Sequence, residues 1–299
     1  MHLLTNGIAI AILAHALIGI SLIWDKILLK KPGTQNLVSY IFWMGAMSVF
    51  GLVLVFFGFR MPPLWVAGLS FGSGAFQMVA IFFYYLALKR GEASEALAVM
   101  GGFSPVATAL IGWGLLGSLV GDADLIGFAL LVAGGFAMFL TENMNYRRLL
   151  APVLLASGSF GLVNVLQKVV FNHVNFVSGY VFFTMGTFAG AMFLLLRRSW
   201  RKQITQNVGD ARPSSKFWYM VNRLMSGVGS FLIYFAISRA NPAIVDAISG
   251  VRYVIIFLGA YLITKSRPDW MEEEFRGAVL AGKTVATAMV VAGLVLVAL

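Results

Sequence analysis

The sequence has no cysteine and few charged residues. The absence of cysteine among its 299 residues excludes disulfides, thiolate metal sites and cysteine nucleophiles. Only 11% of the residues are charged, whereas 60% are hydrophobic, and the mean hydropathy is +0.86. These values lie far from those of a soluble globular domain. Lipid, not water, is therefore the predicted solvent around most of the chain.

Motifs of known enzyme chemistry are also missing. The histidines, His2, His15 and His173, are scattered, and the sequence contains no zinc-protease, membrane-protease or Walker phosphate-binding motif. We therefore expect no metal ion and no cofactor. The net charge of +10 does not indicate nucleic acid, because the aromatic residues lie inside apolar runs. The lipid bilayer is the predicted partner, and the oligomeric state stays open.

Apolar runs of about 20 residues, the length that crosses a bilayer, fill the chain. We predict ten membrane-spanning helices, over residues 6–29, 37–59, 64–88, 92–117, 123–141, 149–171, 176–198, 217–239, 242–264 and 276–298. The largest polar stretch, about residues 199–216, is predicted to be a loop.

The sequence repeats itself in the same order. The string YLALKRG at 85–91 recurs as YFAISRA at 234–240. Three further pairs of segments align, namely 13–26 with 155–168, 36–39 with 175–178, and 131–134 with 290–293. Residues 1–145 and 146–299 are therefore predicted to be two copies of one unit. Because each copy has an odd number of spans, the second must cross the membrane upside down, as in many secondary carriers.

The chain resembles the EamA-like branch of the drug/metabolite transporter superfamily. Residues 87–94 (ALKRGEAS), Ser104-Pro105 and the following run to Gly117 carry the resemblance, with an echo at 236–263. The resemblance implies an all-α integral membrane protein of ten helices, arranged as two inverted five-helix repeats around a central cavity. The chain departs from the family pattern at Gly117-Ser118, where a glutamate is common, and the second copy lacks Ser-Pro.

The resemblance also implies a function. It points to secondary transport, in the direction of export, of a small polar organic metabolite such as an amino acid or an organic anion. This small-molecule substrate is then a predicted partner in addition to the lipid bilayer. A lipid-handling flippase or a structural membrane protein is the alternative, and a membrane enzyme ranks below both.

Arg252 is the most informative single residue. It lies near the middle of the ninth predicted span, where a cation costs roughly 2.5–3.5 kcal/mol on insertion scales. We expect Arg252 to line a cavity and bind an anionic group, with an interhelical salt bridge as the structural alternative. Asp246 lies on another face of the same helix. It is predicted to pair with Lys168 or, alternatively, to couple transport to an ion.

Polar residues also occupy the middle parts of other spans. The resemblance implies that their helices line the central cavity, so we expect these residues at the substrate site, with interhelical hydrogen bonds as the alternative. They are His15, Gln77, Ser104, Asn164 and Ser230.

Other conspicuous residues have structural interpretations. Arg223 and Lys283 are predicted to extend to the membrane surface, and Glu92 and Glu95 to stabilise a helix N-terminus. Interfacial positions are predicted for Trp24, Tyr84 and Tyr85. Close helix approach is predicted at Gly72, Gly74, Gly101, Gly102, Gly134 and Gly135.

Lysine and arginine are unevenly distributed between the predicted loops. Nearly all lie on one side, whereas the side shared with the termini has only Arg60 and Arg239. Because cytoplasmic loops carry the excess of positive charge, we predict a multi-pass protein of the cell (inner) membrane with both termini outside.

Overall fold

The computed structural model describes residues 7–29, 36–90, 93–117, 120–141, 146–210, 213–266 and 277–298. These residues are almost entirely helical, and no strand occurs among them. The helices are α1 (Gly7–Leu29), α2 (Leu37–Ala46), α3 (Leu64–Arg90), α4 (Ala93–Leu116), α5 (Asp122–Thr141), α6 (Tyr146–His173), α7 (Phe176–Phe193), α8 (Arg198–Asp210), α9 (Pro213–Arg239), α10 (Pro242–Ala247), α11 (Gly250–Ser266) and α12 (Gly277–Ala298).

Eight helical stretches of the described residues are long and apolar enough to cross a membrane. They are Gly7–Leu28, Leu37–Phe56, Leu64–Arg90, Leu150–His173, Phe176–Leu196, Lys216–Arg239, Pro242–Ile263 and Leu280–Val297. Two shorter apolar helices, Met100–Leu116 and Asp124–Ala137, fall within the other two predicted spans. The prediction of an all-helical, multi-pass membrane protein is confirmed, and the count of ten spans stays a prediction.

Two predicted spans are less regular than the sequence suggested. The second begins as α2 and continues as a 3₁₀ helix, Met47–Phe56. The ninth is broken, because α10 ends at Ala247 and α11 begins at Gly250. Both irregular segments lie beside the central cavity, where interrupted helices of membrane carriers are commonly found.

The prediction of a loop at 199–216 is wrong over most of its length. Residues Arg198–Asp210 form the short helix α8. Its Ile204 is buried in the hydrophobic core, while Arg201 and Lys202 are exposed. The apolar residues of α8 are few and lie on one face, so average hydropathy does not reveal a helix that packs through that face.

Helices α3 and α7 pack backbone against backbone. A Cβ atom added to Gly74 would lie 2.0 Å from the carbonyl oxygen of Phe183, and one added to Gly186 would lie 1.9 Å from that of Phe71. Such an approach requires residues without side chains. By contrast, Gly72 faces open space. Close approach also occurs at Gly102, Gly134 and Gly135.

Aligned residues of the two halves make matching contacts. The ammonium group of Lys26 donates to the carbonyl oxygen of Leu88 at 3.5 Å, and that of Lys168 donates to the carbonyl oxygen of Ile237 at 3.0 Å. Lys26 aligns with Lys168, and Leu88 lies three residues after Tyr85 just as Ile237 lies three after Tyr234.

The matching contacts extend to the start of α2 and α7. The Tyr219 hydroxyl on α9 donates to the carbonyl oxygen of Tyr40 at 2.9 Å. At the aligned positions, the Ser70 hydroxyl on α3 donates to the carbonyl oxygen of Gly179 at 2.7 Å. Aligned residues therefore link α9 to α2 and α3 to α7, through side chains of different size.

A third matching contact joins α1 to α9 and α6 to α3. Asn222 Nδ2 donates to Asp25 at 2.5 Å. The residues aligned with them, Ser73 and Gln167, are hydrogen-bonded at 2.6 Å. Aligned positions thus meet both where α1 packs on α9 and where α6 packs on α3.

Candidate functional site

A central cavity of about 450 Å³ lies between the helices. Residues of α1, α3, α4, α6, α7, α9, α10 and α11, together with the irregular second span, line it. All the site residues expected from the sequence are among them, namely His15, Gln77, Ser104, Asn164, Ser230, Asp246 and Arg252. The structure thus brings these residues together in space, and their role in binding stays a prediction.

The break between α10 and α11 provides a backbone acceptor at the cavity. The amide of Ser249 donates to the carbonyl of Asp246, three residues back, instead of to Val245. The Val245 carbonyl oxygen instead lies 2.8 Å from His15 Nε2. His15 is only 1% exposed, so this contact satisfies a polar group that would otherwise be buried without a partner.

His15 in turn positions Arg252. The Nε of Arg252 donates to His15 Nδ1 at 2.8 Å. Because a guanidinium group only donates, Nδ1 must accept, and the proton of the neutral imidazole lies on Nε2, where it is donated to Val245. Among the described residues, the terminal nitrogens of Arg252 have no hydrogen-bond partner. They are the groups that a ligand anion would meet.

Asp246 lies on the same wall and uses one of its two oxygens. Its Oδ2 accepts from Ser104 at 2.8 Å and from Thr108 at 2.5 Å. The predicted pair of Lys168 with Asp246 is wrong, since the Lys168 ammonium lies at the end of α9 against the Ile237 carbonyl. Thr108 was not predicted, although it follows Ser104 by four residues and therefore shares its helix face.

Gln77 adds an unsatisfied acceptor to the cavity. It is 9% exposed, and its Oε1 has no hydrogen-bond partner among the described residues. A buried acceptor without a partner costs roughly 1–3 kcal/mol, so a donor on a bound ligand would relieve this cost. Aromatic residues also line the cavity, and among them the rings of Phe183 and Tyr234 have their centroids 4.4 Å apart.

A buried ionic cluster at one end of the cavity was not predicted. Arg223 forms an ion pair with Asp25 and is only 4% exposed, so the prediction that it reaches the membrane surface is wrong. The same carboxylate accepts from the hydroxyls of Tyr40 at 2.6 Å and Tyr85 at 2.5 Å. Asn222 also donates to it. The cluster thus ties four helices together.

Several other structural interpretations also need correction. Lys283 is 2% exposed and does not extend to the surface. Tyr84 and Tyr85 are buried rather than interfacial, because the cavity and the ionic cluster enclose them. Trp24 is half-buried and stacks on Trp218 with the ring centroids 5.2 Å apart. The cap predicted for Glu92 and Glu95 concerns side chains outside the described part.

The sequence model of the EamA-like transporter family matches residues 5–140. The first half of the chain is thus similar to EamA-like transporters. The match agrees with the resemblance to the drug/metabolite transporter superfamily that the sequence motifs carry, and it favours a membrane transporter as the function.

Two further comparisons bear on the chain as a whole. A protein of known crystal structure superposes with a TM-score of 0.60 over 99% of both chains, at 17% sequence identity. That likeness shows a shared fold alone. No curated protein matches the sequence.

Proposed function

We propose that this EamA-like protein is a secondary transporter that exports a small polar metabolite, an amino acid or an organic anion. The observation that carries the proposal is a guanidinium with open donors, Arg252, in one cavity with a carboxylate oxygen of Asp246 that accepts no hydrogen bond among the described residues. Arg252 suits the carboxylate of a substrate. Asp246 suits an ammonium group or, alternatively, a coupling proton.

We further propose that residues 1–145 and 146–299 are inverted repeats of five spans each. The support is that aligned residues make the same contacts in both halves, as in the two lysine-to-carbonyl bonds of Lys26 and Lys168. Two halves of similar structure can exchange poses about a central site, which opens the site to one side of the membrane and then to the other.

The proposed location is the cell (inner) membrane with both termini outside. The support is the concentration of Lys and Arg in the loops opposite the termini, together with the rule that such loops stay in the cytoplasm. The helix α8, with Arg201 and Lys202 exposed, then faces the cytoplasm.

Counterflow into proteoliposomes tests the transport proposal. Vesicles preloaded with unlabelled amino acid should accumulate the labelled form, because only a carrier exchanges one for the other. Arg252→Ala should abolish this exchange, whereas Arg239→Ala, a change at the exposed end of α9, should preserve it. Absence of counterflow for every amino acid and organic anion tested would overturn the proposed function. Export predicts faster efflux of the labelled substrate from preloaded cells that overproduce the protein.

A further inference from the structure

One side of the cavity is open between the 3₁₀ helix Met47–Phe56 and α9. Both segments line the cavity, yet their side chains at this place are exposed, with Phe50 63% and Val228 53% accessible. Gly227 lies in the same stretch of α9, and a Cβ atom added to it would meet nothing within 4 Å. We call this opening the side portal and define it by Phe50, Val53, Leu224, Gly227 and Val228.

Bulky residues keep the portal open, whereas glycines close the wall formed by the aligned residues, which is the interface between α3 and α7. At that wall, Gly74 of α3 and Gly186 of α7 let the two backbones touch. The aligned residues are Arg223 on α9 and Met47 on the second span. Neither residue allows backbone contact, and Arg223 is held in place by its ion pair with Asp25. The opening in this structure is therefore encoded in the sequence.

The portal and the cavity behind it differ in chemistry. The portal residues are apolar and lie within segments long enough to cross a membrane, in the middle of α9 and toward the end of the second span. The portal therefore opens toward the hydrocarbon of the bilayer. The cavity behind it holds the guanidinium of Arg252 and the carboxylate of Asp246. A molecule with a charged head and an apolar tail matches this arrangement from end to end.

We infer that the cavity accepts amphiphiles, with a small zwitterionic or acidic head at Arg252 and an apolar tail that passes through the side portal into the bilayer. This inference rests on the proposed transport function and extends its substrate class. A closed cavity of about 450 Å³ would limit the length of a substrate. A tail that leaves through the portal stays in hydrocarbon throughout, so chain length places no limit on binding.

Two amino acids with the same head and different side chains provide the test. The short probe is α-aminohexanoate and the long probe is α-aminohexadecanoate, which is used as a competitor of labelled short probe in nanodiscs. Gly227→Phe fills the portal without a clash, because the space beside Gly227 is empty. Gly72→Phe is the matched control, since Gly72 is also exposed and faces open space, on the far helix α3.

The wild-type protein and Gly72→Phe should bind both probes. Gly227→Phe should weaken competition by the long probe by about tenfold or more, a loss of roughly 1.4 kcal/mol, and leave binding of the short probe within about twofold. Equal competition by the long probe in both variants, or none in the wild-type protein, would overturn the side portal while leaving transport of small substrates intact. Failure of the wild-type protein to bind the short probe would overturn the inferred amphiphile site, whereas the transport proposal is decided separately by the counterflow assay.

Discussion

Arg223 on α9 and Asp25 on α1 form an ion pair that is buried on both sides, with the two side chains 2% and 1% exposed. The guanidinium also lies over the rings of Tyr40 and Tyr219, 5.3 and 5.5 Å from their centroids. The pair therefore joins the two halves of the chain at the end of the cavity. The free-energy cost of removing the two charges from water is offset by hydrogen bonds that Tyr40, Tyr85 and Asn222 donate to the carboxylate.

Breaking this pair from one side should destabilise the protein strongly. Arg223→Met leaves the Asp25 carboxylate buried without its counter-charge, and such changes cost roughly 3–5 kcal/mol. Thermal unfolding of the purified protein in detergent measures the effect. The double variant Asp25→Leu/Arg223→Met should regain much of the loss, because no lone charge remains. A single variant as stable as the wild-type protein would contradict the buried pair.

His15→Phe should weaken substrate binding without unfolding the protein. The substitution keeps a ring of similar size but removes the acceptor that orients Arg252 and the donor to Val245. Loss of such a buried contact costs roughly 1–3 kcal/mol, so the affinity for a labelled amino acid should fall at least fivefold. His173→Phe, at the exposed end of α6, is the control and should bind normally. Equal affinity in both variants would show that His15 does not contribute to substrate binding.

Gly74 and Gly72 should respond in opposite ways to the same change. Gly74→Leu forces α3 and α7 apart, since its Cβ would lie 2.0 Å from the Phe183 carbonyl oxygen. Overpacking of this kind costs typically ~1–3 kcal/mol or more. Gly72→Leu meets no atom and should be neutral or slightly stabilising, because leucine favours the helix over glycine. Unfolding midpoints of the two variants give the comparison, and a Gly72 variant less stable than the Gly74 variant would refute the packing.

The orientation proposal predicts where a C-terminal reporter works. A fluorescent protein fused after Leu299 should stay dark and an alkaline phosphatase should be active, because the C-terminus is proposed to lie outside. Moving the reporters to the polar connection after α8 should reverse both results. Fluorescence from the C-terminal fusion would show that the charge distribution does not set the orientation of this chain.

The sequence predicted the helices and the residues at the cavity well because both follow from the cost of polar groups in lipid. A residue such as Gln77 or Asn164 in the middle of an apolar run must face other protein or a cavity. That reasoning uses only local sequence. The break after Ala247 was missed because no proline marks it, and Ser249-Gly250 is a weak signal in a chain with 32 glycines.

Pairing between distant residues was the part that sequence could not provide. Arg223 lies near one end of an apolar run, which resembles a side chain that reaches the surface. Its partner Asp25 is on the first helix, and no spacing rule connects residues so far apart in the chain. For Lys168 the error was the reverse, because an ion pair was predicted where none forms. Its ammonium group donates to backbone carbonyl oxygens rather than to a carboxylate.

The contact between Asp25 and Arg223 has no charged counterpart at the aligned interface, where the neutral side chains of Gln167 and Ser73 are hydrogen-bonded. Opening the charged interface to water would rehydrate two ions, which offsets the loss of their mutual attraction, whereas the neutral interface carries no such term. In the proposed carrier the two poses are therefore not equivalent in energy. Substrate shifts the balance between them only by binding one pose more tightly than the other.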